Sequence, residues 1–164
     1  MNASPSQWPS AYRHPAFWFA TWFGAGLTPK APGTWGSLAA LPFAWVIMEQ
    51  GGHYALMIAI TLVFFIGLWA SKVFMKKTGQ SDPGQIVIDE VVGQWIACLP
   101  IASGPNLPEF VLALVSFRMF DIYKPWPVSI FDKKDHSAFG VMMDDVIAGF
   151  MAALVMVGFY VFIR

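Results

Sequence analysis

The chain has 164 residues, 57% of them hydrophobic and only 12% charged, with zero net charge and a mean hydropathy of +0.56. That is about half the usual charge of a soluble domain, so the composition predicts one compact membrane unit. Zero net charge without a basic motif excludes a nucleic-acid binder, and the lone Cys98 excludes an internal disulfide framework and reads as a core residue.

Residues 1–15 form a polar N-terminal segment without the charged, apolar and cleavage regions of a signal peptide. Residues 16–164 read as a single membrane-embedded domain. The run 18–23 predicts a short helix lying at the interface. The stretch 29–37, Pro-Lys-Ala-Pro-Gly-Thr-Trp-Gly-Ser, follows. Pro32-Gly33 favours a turn, Gly33 and Gly36 permit close backbone approach, and Thr34 or Ser37 offers a hydroxyl cap for the next helix. Free amides at that helix start, with Lys30 beside them, would attract an anion. A plain helix-entry turn uses the same residues.

A membrane-spanning helix needs about 20 mainly apolar residues. Segments 38–48, 54–70, 86–101, 107–120 and 146–163 approach this, which predicts an all-α, compact polytopic membrane helical bundle with about five spans. A soluble helical bundle is the alternative, but 146–163 carries no charge and little polar pattern, as a span does. Alternate threading puts Lys30, Lys72, Lys76, Lys77, Arg118, Lys124, Lys133 and Lys134 on one side. The positive-inside tendency makes that side cytoplasmic. The same threading gathers every polar cluster there.

Three of those clusters hold carboxylates beside apolar segments, where they are costly and usually functional. Asp89 and Glu90 follow the Asp82-Pro83-Gly84 turn. Being adjacent on a helix they point about 100° apart, so one can ligate a cation while the other orients a neighbour. Simple dipole stabilisation at a helix start is the other reading. Arg118, Asp121 and Lys124 are spaced by three, which places neighbours on one helical face before Pro125 ends the helix. Arg118 suits bidentate phosphate contact, and Lys124 a mobile positive charge. Asp144 and Asp145 open the last apolar segment, either as an N-cap or as part of a site for a hard cation such as Mg²⁺. His136, in the loop before them, reads as solvated rather than as a proton shuttle.

In order and spacing, the segments 29–37, 88–93 (Ile-Asp-Glu-Val-Val-Gly), 117–127 (Phe-Arg-Met-Phe-Asp-Ile-Tyr-Lys-Pro-Trp-Pro) and 143–149 (Met-Asp-Asp-Val-Ile-Ala-Gly) resemble the phosphatidylglycerophosphatase A family of bacterial membrane lipid phosphatases. The resemblance implies Mg²⁺-dependent hydrolysis of phosphatidylglycerophosphate to phosphatidylglycerol and inorganic phosphate, in the bacterial inner membrane with the site facing the cytoplasm. It implies catalytic and metal-binding roles for Asp89, Glu90, Asp121, Asp144 and Asp145. Phosphate binding would fall to Lys30, Gly33, Thr34, Ser37, Arg118 and Lys124. The loop with Asp135, His136 and Ser137 departs from the more basic, glycine-rich sequence expected there. The competing functions are a phosphatase of another lipid phosphomonoester, such as phosphatidic acid, and a cation-coupled transporter. Clustering of the polar groups at one membrane face argues against the transporter's midplane pathway.

Overall fold

The computed structural model describes residues 10–101, 105–128 and 137–162. Lys133, Lys134, Asp135 and His136 lie outside the described residues. The described helices are α1 (Pro15–Ala20), α2 (Pro32–Thr78), α3 (Ile88–Cys98), α4 (Leu107–Tyr123) and α5 (Ala138–Phe162).

Helix α2 starts with Pro32 at its first position, where a missing N–H costs nothing. Ala31 precedes it at φ 50°, with no side-chain cap, so neither Thr34 nor Ser37 caps this helix. Helicity breaks at Gly52, whose φ of 65° and ψ of −160° belong to a region open essentially to glycine alone. The break divides α2 into arms 32–51 and 53–78. The start of α2 and the loop that follows its other end meet at one polar cavity, because residues 31–33 and Asp82, Gly84 and Ile86 share its wall.

Helix α3 is the centre of the bundle. All its residues but Glu90 are buried, packed between α2 and α5. The Trp95 indole N–H donates to the Ala40 carbonyl at 2.9 Å and ties α3 to the first arm of α2. Cys98 packs as a core residue, and burial pushes its thiol up to about 12. At the far end, His53 meets the Ile101 carbonyl at 2.9 Å.

The expectation of about five spans is overturned. Among the described residues two helices, α2 and α5, are long and apolar enough to cross a membrane. Segments 38–48 and 54–70 both belong to α2. Segment 86–101 contains only the 11 residues of α3, far short of a span, and α4, with 17, stands at the lower limit of spanning length. The physical reason is that an apolar run does not reveal what buries it. The apolarity of α3 answers to contact with protein, whereas α2 and α5 expose Ile58, Leu62, Phe65, Leu154 and Val161.

Helices α3 and α5 cross with their backbones touching. A Cβ placed on Gly149 would lie 2.5 Å from the Gly93 carbonyl oxygen and 2.9 Å from its Cα. A Cβ on Gly93 would meet the Phe117 ring and lie 2.6 Å from the Asp145 carbonyl oxygen. Helices approach this closely in membranes only through small residues. Asp89 stands four residues before Gly93, and Asp145 four before Gly149, so one contact sets the separation of both carboxylates. Gly149→Leu is expected to overpack this crossing and cost about 1–3 kcal/mol, read as a lower unfolding temperature in detergent. An unchanged unfolding temperature would refute the tight crossing.

Candidate active site

The cavity has a volume of about 390 Å³ and opens at the end of the bundle where α2 begins. Four stretches build it. The start of α2 contributes Ala31 to Gly33, and the loop before α3 brings Asp82, Gly84 and Ile86. Asp89 and Glu90 come from the first turn of α3, Arg118, Asp121 and Lys124 from the end of α4, and Asp144 and Asp145 from α5.

Three acids form its floor. Oxygens of Asp89, Glu90 and Asp145 lie within 4.8 Å of one another. Asp89 and Asp145 are buried at 7% and 3% exposure, too dry for water to spread their charge. Glu90 Oε2 is buried with no hydrogen-bond partner. Burial pushes the Asp89 carboxyl well above its ordinary range, and Glu90, Asp145 and Asp144 push it the same way. Burial also lifts Glu90 to about 7, against the opposing hydrogen bond with Asp89 and the Arg118 charge. Carboxylates concentrated this way are stable together only with protons or a cation among them.

Arg118 forms the opposite wall. It pairs with Asp121 one turn further along α4, and its Nη1 lies 3.9 Å from Glu90 Oε1. Asp121 in turn touches Asp145. Arg118 Nε is buried without a hydrogen-bond partner, which leaves a donor uncommitted. Gly33 makes this packing possible, because a Cβ there would collide with the Glu90 carboxylate and come within 3.1 Å of Arg118 Nη1.

The α4 triplet divides. Arg118 and Asp121 pair as their spacing predicts, but the helix ends at Tyr123 and Lys124 turns into the left-handed region at φ 43°. Its ammonium donates instead to Asp144 Oδ2 at 2.8 Å, across to α5. Neither Asp144 nor Asp145 caps α5, which begins at Ala138. The Ser137 hydroxyl accepts from the amides of Phe139 and Gly140 there. Lys30 is exposed and outside the cavity wall, and Thr34 is half-buried beside it. Ser37 is buried and donates to the Gly33 carbonyl at 2.9 Å. Two contributors escaped the sequence reading, the 82–86 loop as cavity wall and the Gly93–Gly149 contact. The second had a signal in the Asp-x-x-x-Gly spacing shared by α3 and α5.

A membrane helical bundle whose polar cavity sets clustered acids against an arginine and a helix N-terminus is the architecture of a membrane enzyme for phosphorylated substrates. The chain matches the family Phosphatidylglycerophosphatase A over residues 18–160. It is 39% identical over 135 residues to the phosphatidylglycerophosphatase A of Escherichia coli strain K12, covering 82% of this chain and 77% of that protein. The phosphatidylglycerophosphatase A of Haemophilus influenzae strain Rd is 38% identical over 144 residues, 87% of this chain and 86% of that protein. No solved structure matches. The chain belongs to the phosphatidylglycerophosphatase A family, hydrolases that release phosphatidylglycerol from phosphatidylglycerophosphate, and is a multi-pass phosphatase of the bacterial inner membrane.

Proposed function

We propose that this chain hydrolyses the terminal phosphate of phosphatidylglycerophosphate with Mg²⁺ as cofactor, at the cytoplasmic face. The Asp89, Glu90 and Asp145 triad carries this reading. Its oxygens converge, and the unpartnered buried Glu90 Oε2 is a ligand atom without a present use. An all-oxygen donor set suits a hard cation. The cavity wall holds no Cys or His among the described residues, which argues against zinc. The cytoplasmic orientation rests on Lys30 before α2 and Lys76 and Lys77 at its end, since the start of α2 and the loop beyond its end meet at the cavity.

Asp89, Glu90 and Asp145 would hold the cation, which would supply Lewis-acid polarisation of the phosphoryl group and activation of water. Arg118 meets the phosphate through donors such as Nε and offsets the charge that develops on its oxygens. The N-terminus of α2 at Gly33 adds partial positive charge on the same side. Asp121, fixed by Arg118 and facing Asp145, takes the proton of the attacking water. The new bond joins water oxygen to phosphorus as the bond from phosphorus to the glycerol oxygen breaks. The proton passes to that glycerol oxygen, leaving phosphatidylglycerol and inorganic phosphate. Lys124 and Asp144 brace the mouth of the cavity as an ion pair between α4 and α5.

Purified protein supplied with lipid and Mg²⁺ is expected to release phosphate from phosphatidylglycerophosphate faster than from phosphatidic acid. Excess chelator should bring release to background, and added Mg²⁺ should restore it. Mg²⁺ should also raise the unfolding temperature, by about 2.7 kcal/mol of stabilisation at a hundred times its dissociation constant. A folded sample that releases phosphate equally well in chelator would refute the cation reading, and one that prefers phosphatidic acid would refute the headgroup assignment.

A further inference from the structure

The seam between the first arm of α2 and α4 contains a second cavity, and its chemistry is the reverse of the first. It measures about 450 Å³, and its wall is almost wholly apolar. Leu38, Leu41, Trp45 and Val46 line it from α2, with Leu107 and Phe110 from α4. The Trp45 and Phe110 rings, 5.2 Å apart between centroids, close its floor. Leu38 and Val46 stand at its lips, 39% and 49% exposed toward the lipid-facing surface.

Both walls belong to helices that also build the polar cavity. On α2, positions 34, 38, 41 and 45 form one helical stripe that descends from the Gly33 end. On α4, Leu107 and Arg118 are eleven residues apart, three helical turns, and so share a face. Ile122, one turn beyond Arg118, lines the polar cavity while remaining 64% exposed. From Leu38 to Val46 the groove runs roughly 12 Å along the helix axis, and Leu107 lies roughly 16 Å below Arg118. The groove and Arg118 therefore lie along the same faces of the same two helices, one below the other.

We infer that this groove is the subsite for one acyl chain of the lipid substrate, which enters the polar cavity sideways through the seam between α2 and α4. The inference rests on the proposed lipid phosphomonoester reaction and adds where the hydrocarbon goes. Bulk lipid covers any exposed apolar face. A groove aligned with Arg118 instead selects a chain whose headgroup is already in the site, so chain length affects substrate binding.

The test uses the full chain in detergent, with dihexanoyl and dipalmitoyl phosphatidylglycerophosphate as probes. Val46→Trp fills the far end of the groove and Leu38→Trp the near end. Leu154→Trp, on the exposed face of α5, is the control. Each groove variant is expected to lower the dipalmitoyl-to-dihexanoyl ratio of kcat/KM by about tenfold, the scale of a filled apolar subsite. The loss should fall in KM rather than kcat, as for binding shared by ground and transition states. The control should keep the wild-type ratio. Active variants with an unaltered ratio would show that the groove holds only bulk lipid, and an equal loss on both substrates would place the effect in the fold. Either result overturns the subsite. Two independent positions guard against one variant misfolding. No wild-type turnover of either probe would instead remove the proposed reaction, and the subsite with it.

Discussion

Asp145→Asn is expected to lower turnover by about 10³-fold, or ~4 kcal/mol of transition-state stabilisation, without weakening the fold. Asp145 is 3% exposed and sits within 4.8 Å of Asp89 and Glu90, oxygen to oxygen. Its neighbours are acids, so neutralising it relieves repulsion instead of orphaning a counter-charge. The amide keeps the shape and a carbonyl oxygen, but loses the charge that a hard cation requires. Three observations should therefore move together. Phosphate release falls, the Mg²⁺-induced rise in unfolding temperature disappears, and the unfolding temperature without Mg²⁺ stays level or rises. Asp89→Asn should behave the same way. Full activity with an intact Mg²⁺ shift would remove Asp145 from the cation site.

Asp121→Asn is expected to cost about as much activity through a different loss. Removing a positioned base typically costs 10²–10⁴-fold, and a value near 10³-fold is expected here. Asp121 is fixed by Arg118 and lies outside the converging triad. The variant should thus keep its Mg²⁺-induced stabilisation while losing turnover. That dissociation is the diagnostic outcome, because a cation-binding role for Asp121 would abolish the Mg²⁺ shift, whereas loss of the Arg118 partner alone would lower stability and leave the shift in place. Near-normal phosphate release would exclude Asp121 as the proton acceptor.

Much of what lines the cavity is legible in the sequence. Asp89, Glu90, Asp121, Asp144 and Asp145 stand out because charge beside apolar sequence is expensive, and all five line one cavity. The Arg118–Asp121 pair follows from helical spacing, a local property. At other positions the structure differs from the spacing argument. Lys124 was expected to face Asp121, but the chain leaves the helix at Tyr123 and its ammonium crosses to Asp144, twenty residues away. The Ser37 hydroxyl donates one turn back, to the Gly33 carbonyl. Asp144 and Asp145 were read at a helix start, but α5 begins six residues before Asp144, at Ala138.

The sequence by itself determined the helical class, the membrane setting, the family and five acids that prove to line one cavity. Each depends on composition, on short-range spacing or on the joint order of motifs, and none requires knowing which helices touch. Only the tertiary structure decided that α3 is a core helix and not a span, because burial in protein and burial in lipid demand the same apolar residues. It alone broke α2 at Gly52 and brought its start and the loop beyond its end to one cavity. It also chose Asp89, Glu90 and Asp145 from the five acids, through the Gly93–Gly149 contact. That selection is set by how closely two backbones approach, and it depends on the fit of surfaces brought together from distant parts of the chain.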